Sequence, residues 1–307
     1  MPAGAKPARV LKFAAGFFAV MLPAAAGAAF WWWSSAPPAL PIDTESEAQI
    51  DAAQPCVTKI SHLAEDPDVI VLDFPNLTIQ GLMLDRVAAL VEKAHLPRDR
   101  VLDDAALYEA IYNCGDTIES YYYGHDYRAA DLARFFALAA QDGVTLNQQE
   151  LWLRRLVRQL GWLAPGANGA LITLPAAAGP VTQEMRAVIL HHEIAHGAFF
   201  TTPAYAAYSE AFWNSLSPAD RAGFTGFLGR QGYDTSNNNL MLNETEAYLV
   251  FTTDPQFFNA AAVQMDPSHL AALRNQFITN MPNFWLRPLA NETLPVGNAP
   301  ACAVAEQ

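Results

Sequence analysis

The stretch that decides the reading is Ala187-Val-Ile-Leu-His-His-Glu-Ile-Ala-His-Gly-Ala-Phe-Phe200, in which three histidines and one glutamate interrupt an otherwise apolar run. His192 and His196 are four positions apart, so at about 3.6 residues per turn they fall on one face of a helix. Met185, Val188, Ile189 and Phe199 share their stripe, and Leu190, Ile194 and Ala195 fill the other sides. A helix apolar nearly all round is a buried helix, and burying unpaired charges in it is costly. A divalent cation is the simplest group that satisfies two imidazoles and a carboxylate at once. His192-Glu193-Ile194-Ala195-His196 has the form HExxH, in which two neutral imidazoles hold zinc (Zn2+) at about 2.0–2.1 Å. Glu193, one position round the helix, then reaches a water on the open coordination site as general base, since zinc lowers that water's pKa towards about 7. His191 faces away from the pair and is assigned to packing or to support behind the ligands.

A catalytic zinc takes three protein ligands. The pattern HExxHxxGxxH is excluded, because Phe199 and Thr202 stand where its glycine and third histidine would fall. His62, His95, His125 and His269 lie in no recognisable partner motif. A carboxylate on a later helix is the better option, and Leu242-Asn-Glu-Thr-Glu-Ala-Tyr248 supplies two. Glu244 lies beside the apolar face formed by Leu240, Met241, Ala247, Tyr248 and Phe251, and the small Ala247 one turn later permits close approach of a neighbouring helix. Glu246, flanked by Leu249 and Val250, competes for the role. Peptide hydrolysis also needs a donor for the oxyanion. Tyr205, Tyr208 and Tyr233 are the nearest in sequence, with Tyr121-Tyr-Tyr123 and His125 as a more distant cluster.

With HHEIAHG followed by LNETEAY, the chain resembles the gluzincin branch of the zincin metallopeptidases, and more widely exported bacterial proteins of metallopeptidase type. By that resemblance Glu244 matches the third ligand and Ala247 the small residue after it. The likeness covers residues 188–200 and 240–251 only. Its departure is the spacing of 48 positions between His196 and Glu244, which inserts two helices, about Ala204–Leu216 and Ser217–Gln231, that could wall a substrate site. The strand that borders the cleft in that family, and can hold a peptide by strand addition, would correspond to Gly169–Leu174.

The N-terminus is a separate matter. Lys6, Arg9 and Lys12 precede Phe13–Trp33, an uncharged run of 21 residues ending in three tryptophans. That length is close to the roughly 20 residues needed to cross a bilayer, and tryptophans favour its interface. A membrane anchor is therefore favoured over a cleaved signal, although Ala24–Ala29 offers small-residue cleavage sites. Either way the rest of the chain is expected outside the cytoplasm, facing the periplasm or secreted. The whole chain of 307 residues carries a net charge of −13, and without the N-terminal segment 15 basic residues face 31 acidic ones, a balance of −16. This disfavours nucleic acid and anionic headgroups as partners. Cys56, Cys114 and Cys302 allow one disulfide in three possible pairings.

Strands are expected at Val69–Phe74 and Gly169–Leu174. Helices are expected at Leu82–His95, Asp103–Tyr112, Tyr127–Gln141, Asn147–Trp162, Val181–Phe200, Ala204–Leu216, Ser217–Gln231, Leu240–Thr252 and Pro267–Asn280. The expected fold is thus α+β and mainly helical: a zincin-like catalytic domain with a small sheet and an HExxH helix, behind an N-terminal hydrophobic segment. Its layout is anchor or signal (1–33), tether (34–55), a mostly helical N-terminal lobe (56–165), a catalytic lobe (166–290) and a tail (291–307). The expected function is zinc-dependent hydrolysis of a peptide or protein substrate. The competing expectation is a zincin-like module that keeps metal but only binds a peptide or an envelope component.

Overall fold

Residues Val69–Phe74 form a buried run of apolar side chains broken only by Asp73, and such a run fits a strand covered on both faces. A computed structural model, which describes residues 38–292, places this run in a mixed five-stranded sheet. The chain runs β1 (Asp43–Glu45), α1 (Glu47–Ala52), β2 (Lys59–Leu63), β3 (Asp66–Phe74), α2 (Leu77–Val91), α3 (Asp104–Asn113), β4 (His125–Arg128), α4 (Ala129–Gln141), α5 (Gln148–Gln159) and β5 (Ala170–Pro175). It continues through α6 (Gln183–Thr201), α7 (Pro203–Ser215), α8 (Pro218–Arg230), α9 (Asn238–Glu246), a π-helical turn (Ala247–Phe251) and α10 (Pro267–Asn280). The strand order is β1-β2-β3-β5-β4. β1 is parallel to β2 and β3 to β5, whereas β2–β3 and β5–β4 are antiparallel.

Three strands exceed the sequence expectation. β1, β2 and β4 are only three to five residues long and polar in part, too short to leave a period of two. β4 takes Tyr127 from the helix expected at Tyr127–Gln141, which begins at Ala129. The stretch expected as a tether carries β1 and α1, with Ile50 and Asp51 buried. The boundary expected at residues 165–166 does not divide the sheet, because β3 pairs with β5 across it. Gly169–Leu174 is corrected as the strand beside the cleft. β5 is hydrogen-bonded on both sides, so no peptide can add to it, and the outer position on that side belongs to β4.

The N-terminal segment 1–33 and Cys302 lie outside the described residues. Among the described residues no helix is long and apolar enough to cross a membrane. Cys56 is disulfide-bonded and Cys114 is a free, exposed thiol.

Helix α6 lies directly on the sheet, and two residues let it do so. A Cβ at Gly197 would stand 3.0 and 3.1 Å from the Val69 methyls, closer than side chains normally pack. Arg186 is fully buried, and its guanidinium meets both oxygens of Asp73 at 2.7 and 2.8 Å, the Pro175 carbonyl at 2.8 Å and the Ile50 carbonyl at 2.6 Å. One side chain thereby fastens α1, β3 and β5 to the helix that carries HExxH. Burial pushes the Asp73 carboxyl up to about 6, against the pull of Arg186.

Removing one partner of such a pair strands the other. Arg186→Met is therefore expected to destabilise the fold by about 3–5 kcal/mol, and the double variant with Asp73→Leu to recover much of that loss. Urea unfolding of the three proteins checks both expectations.

Candidate metal centre

The Thr182 hydroxyl starts α6 by accepting from the Met185 amide at 3.2 Å, and ten residues further on the helix presents its two histidines to a cleft. The His192 and His196 Nε2 atoms are 3.0 Å apart. Glu244, brought in by α9, places one carboxylate oxygen 3.7 Å from the His192 Nε2 and the other 3.7 Å from the His196 Nε2. Two donors bound to one zinc at about 2.0–2.1 Å must lie within about 4.2 Å of each other, and all three separations meet that limit. The residues present therefore fit a zinc ion. Glu246 points elsewhere and takes the Tyr205 hydroxyl.

The tautomer of His192 follows from its neighbour. The Thr252 hydroxyl donates to the Ala247 carbonyl at 3.1 Å, so in its 2.8 Å contact with the His192 Nδ1 it must accept. The ring proton is then on Nδ1, and the Nε2 lone pair is free to face Glu244. Burial, with His196 nearby, holds His192 well below the usual imidazole range and keeps it neutral. Thr252 owes its place to the π-helical turn at Ala247–Phe251, where the Thr252 amide also reaches back five residues to Ala247 at 3.0 Å. Such turns are rare and concentrate at functional sites.

Four carboxyl groups crowd this centre. Glu193 is buried one position round the helix, and a Cβ on Gly124 would meet its Oε1 at 2.1 Å, so any side chain there would push the Glu193 carboxylate aside. Asp126 of β4 brings an oxygen to 3.3 Å from the His196 Nε2. Glu92 lies just beyond the end of α2. Burial raises Glu92, Asp126, Glu193 and Glu244 above the usual carboxylate range, and the repulsion of neighbouring carboxylates adds to it at Glu92, Glu193 and Glu244. Glu193 Oε2, Glu244 Oε2, Glu92 Oε1 and His196 Nδ1 have no hydrogen-bond partner among the described residues. A dication would supply the positive charge that this group of acids lacks.

The cleft beside the centre encloses about 450 Å³, and His192, Glu193, Tyr233, Tyr248 and Thr252 contribute to its wall. Tyr233 lies near Glu244 and Tyr248, and the Tyr248 ring stands against His192 with centroids 4.7 Å apart. The other two tyrosines singled out in the sequence are elsewhere. Tyr205 is fully buried against Glu246, and Tyr208 donates to the Phe277 carbonyl at 2.7 Å. Helix α7 turns both rings into the core against Phe277 of α10, which removes them from the oxyanion role. Of the two inserted helices it is α8, through Arg230 at its end, that reaches the cleft. His191 meets Glu47 of α1 at 3.0 Å on the opposite face of α6.

Asp126, Thr252 and Gly124 escape the sequence reading, since none belongs to a spaced motif, and Tyr248 enters it only as part of the apolar face beside Glu244. Tyr121-Tyr-Tyr-Gly-His-Asp126 is the one local signal, a polar and aromatic cluster that now proves to border Glu193. Comparison with known proteins adds nothing to this: no protein-family model, no curated protein and no solved structure matches the chain.

Two outcomes follow. Thr252→Val removes the acceptor behind His192 and should weaken zinc binding about 10- to 100-fold, while Thr252→Ser retains it; competition against a chelating dye measures both. The second concerns Asp85, buried with an oxygen 3.8 Å from the His125 Nε2. Burial pushes Asp85 up to about 8 and His125 down to about 3. The folded chain therefore holds a proton on Asp85 that the unfolded chain releases above about pH 4, so this group's contribution is full at low pH and is lost as pH rises through about 8. His125 works the other way: neutral in the fold, it takes up a proton on unfolding below about pH 6.5 and so offsets Asp85 in the lower part of this window. Between about pH 6.5 and 8 the Asp85 slope of up to about 1.4 kcal/mol per unit is no longer opposed by His125, and Asp85→Asn should reduce the parent's decline there in denaturant titrations.

Proposed function

We propose that the protein is a zinc-dependent peptidase with a zincin-like catalytic arrangement, in which His192, His196 and Glu244 hold the metal and Glu193 is the general base. The observation that carries this reading is the meeting of three donors of the right kind within 4.8 Å, beside an unpartnered buried carboxylate in an open cleft. Zinc, when bound, supplies Lewis acidity that polarises a carbonyl and acidifies water. The chain's own groups do the rest. Glu193 takes the proton of the water that attacks the peptide carbonyl carbon, and passes it to the amide nitrogen as the C–N bond breaks. Tyr233 and Tyr248 are the hydroxyl donors placed for the oxyanion. Export and anchoring through residues 1–33, with peptide or protein substrates met outside the cytoplasm, belong to the same proposal.

One observation favours a second reading, a module that keeps metal without catalysis. Asp126 carries a further carboxylate to 3.3 Å from the His196 Nε2, outside the group of three donors that meet within 4.8 Å, and its movement into that group would close a set of four, the mark of a structural zinc. The intact Glu193 speaks for the enzyme, since a binding module gains nothing from a base at that position.

Metal analysis and a peptide library distinguish the two. The parent and Glu193→Gln are expected to bind one zinc per chain alike, with cleavage falling about 10²–10⁴-fold in the variant. Metal without cleavage in the parent would leave the binding module standing, and an absence of bound zinc in both would sink the two together.

A further inference from the structure

Lys93 is the charge in the cleft that the chemistry above does not use. It is 5% exposed, just beyond α2, and its ammonium lies 4.1 Å from the Tyr121 ring centre and 4.4 Å from that of Tyr122. Its backbone forms a bridge with Tyr233, which fixes it to the segment that also carries a proposed oxyanion donor. Lys93 lines the same cleft as His192 and Glu193, with Arg230 and Gln231 on the wall beside it. No carboxylate among the described residues lies within ion-pairing distance of it. That is unusual for a cation so nearly buried. The other lysine and arginine side chains with comparable burial, Arg86 and Arg186, each bind carboxylates.

Burial pushes the Lys93 ammonium below the usual lysine range, opposed by Asp116, Cys114, Glu92 and Asp85, none of which forms an ion pair with it. Asp116 shares the cleft wall, but Asp85 and Glu92 are raised by burial, so their carboxyls favour the uncharged form. Two aromatic faces hold the ammonium in position by its attraction to their π-electrons, and leave its hydrogen-bonding capacity unspent. An immobilised ammonium of this kind is pre-organised for an anion that arrives with the ligand, and the anion a peptide carries is a carboxylate.

We propose that Lys93 anchors a substrate carboxylate, so that the cleft selects peptides presenting a free C-terminus or an acidic side chain near the bond to be cut. The word substrate rests on the peptidase reading; the carboxylate site does not. The test is calorimetric binding to the zinc-loaded Glu193→Gln protein of N-acetylated alanine hexapeptides with a free C-terminus, with a C-terminal amide, and with the amide plus one glutamate scanned along the chain. A carboxylate peptide should bind about tenfold more tightly than the plain amide, the gain of one charge-assisted hydrogen bond. Tighter binding of the free acid identifies the terminal carboxylate, and of one glutamate peptide the side chain. Lys93→Met should abolish the preference and Lys93→Arg keep it, with Lys93→Gln used where the methionine variant does not fold. Equal binding of all peptides, binding of none, or a preference that survives in folded Lys93→Met or Lys93→Gln protein overturns the proposal. Cleavage of the plain amide by the parent keeps the peptidase reading alive in that event. A Lys93-dependent preference without any cleavage by the parent removes the peptidase reading and leaves the carboxylate site.

Discussion

Repulsion among acids in a space poor in water is the constraint on which the rest of this molecule turns. Glu92, Asp126, Glu193 and Glu244 come from four separate parts of the chain and are all more than nine-tenths buried. Carboxylates so placed either take up protons or gather a cation. Their scaffold is correspondingly rigid. The guanidinium of Arg186 secures α6 at its first turn, the missing side chain of Gly197 lets its last turns sink onto the sheet, and Gly124 allows β4 to enter close beside Glu193. Each device fixes a backbone, and together they leave the acidic groups no room to separate.

Much of the centre was legible because helices broadcast their geometry. The spacing of His192 and His196 places two imidazoles together whatever surrounds them, and an apolar stripe beside Glu244 marks the side of α9 that turns inward. The long helices were visible for the same reason, since each repeats its pattern over several turns. β1, β2 and β4 are too brief to repeat anything. β4 moreover carries His125, Asp126 and Arg128, and a strand of polar residues resembles a loop until the sheet that holds it is known.

The tyrosines teach a related lesson. Nearness in sequence to HExxH favoured Tyr205 and Tyr208, yet α7 reverses away from the cleft and spends both hydroxyls on Glu246 and the Phe277 carbonyl. Tyr233 reaches the site because the chain returns after α8, and Tyr248 because it follows Glu244 by one turn. The 48 positions between His196 and Glu244 thus do more than delay the carboxylate. They carry the chain out to build core with α10 and bring it back with Arg230, Gln231 and Tyr233 on the cleft wall.

The single π turn after Glu244 has a consequence for how this centre can change over evolutionary time. It holds one residue more than a regular α-helical turn needs, so a substitution that let the same residues wind as ordinary α-helix would swing everything beyond by about 100°. His192, His196 and Glu244 would survive such a change, and a comparison of motifs alone would count the centre as intact. The hydroxyl that sets the His192 tautomer would nonetheless have rotated out of reach, making the length of this turn as much a part of the site as the residues that face it.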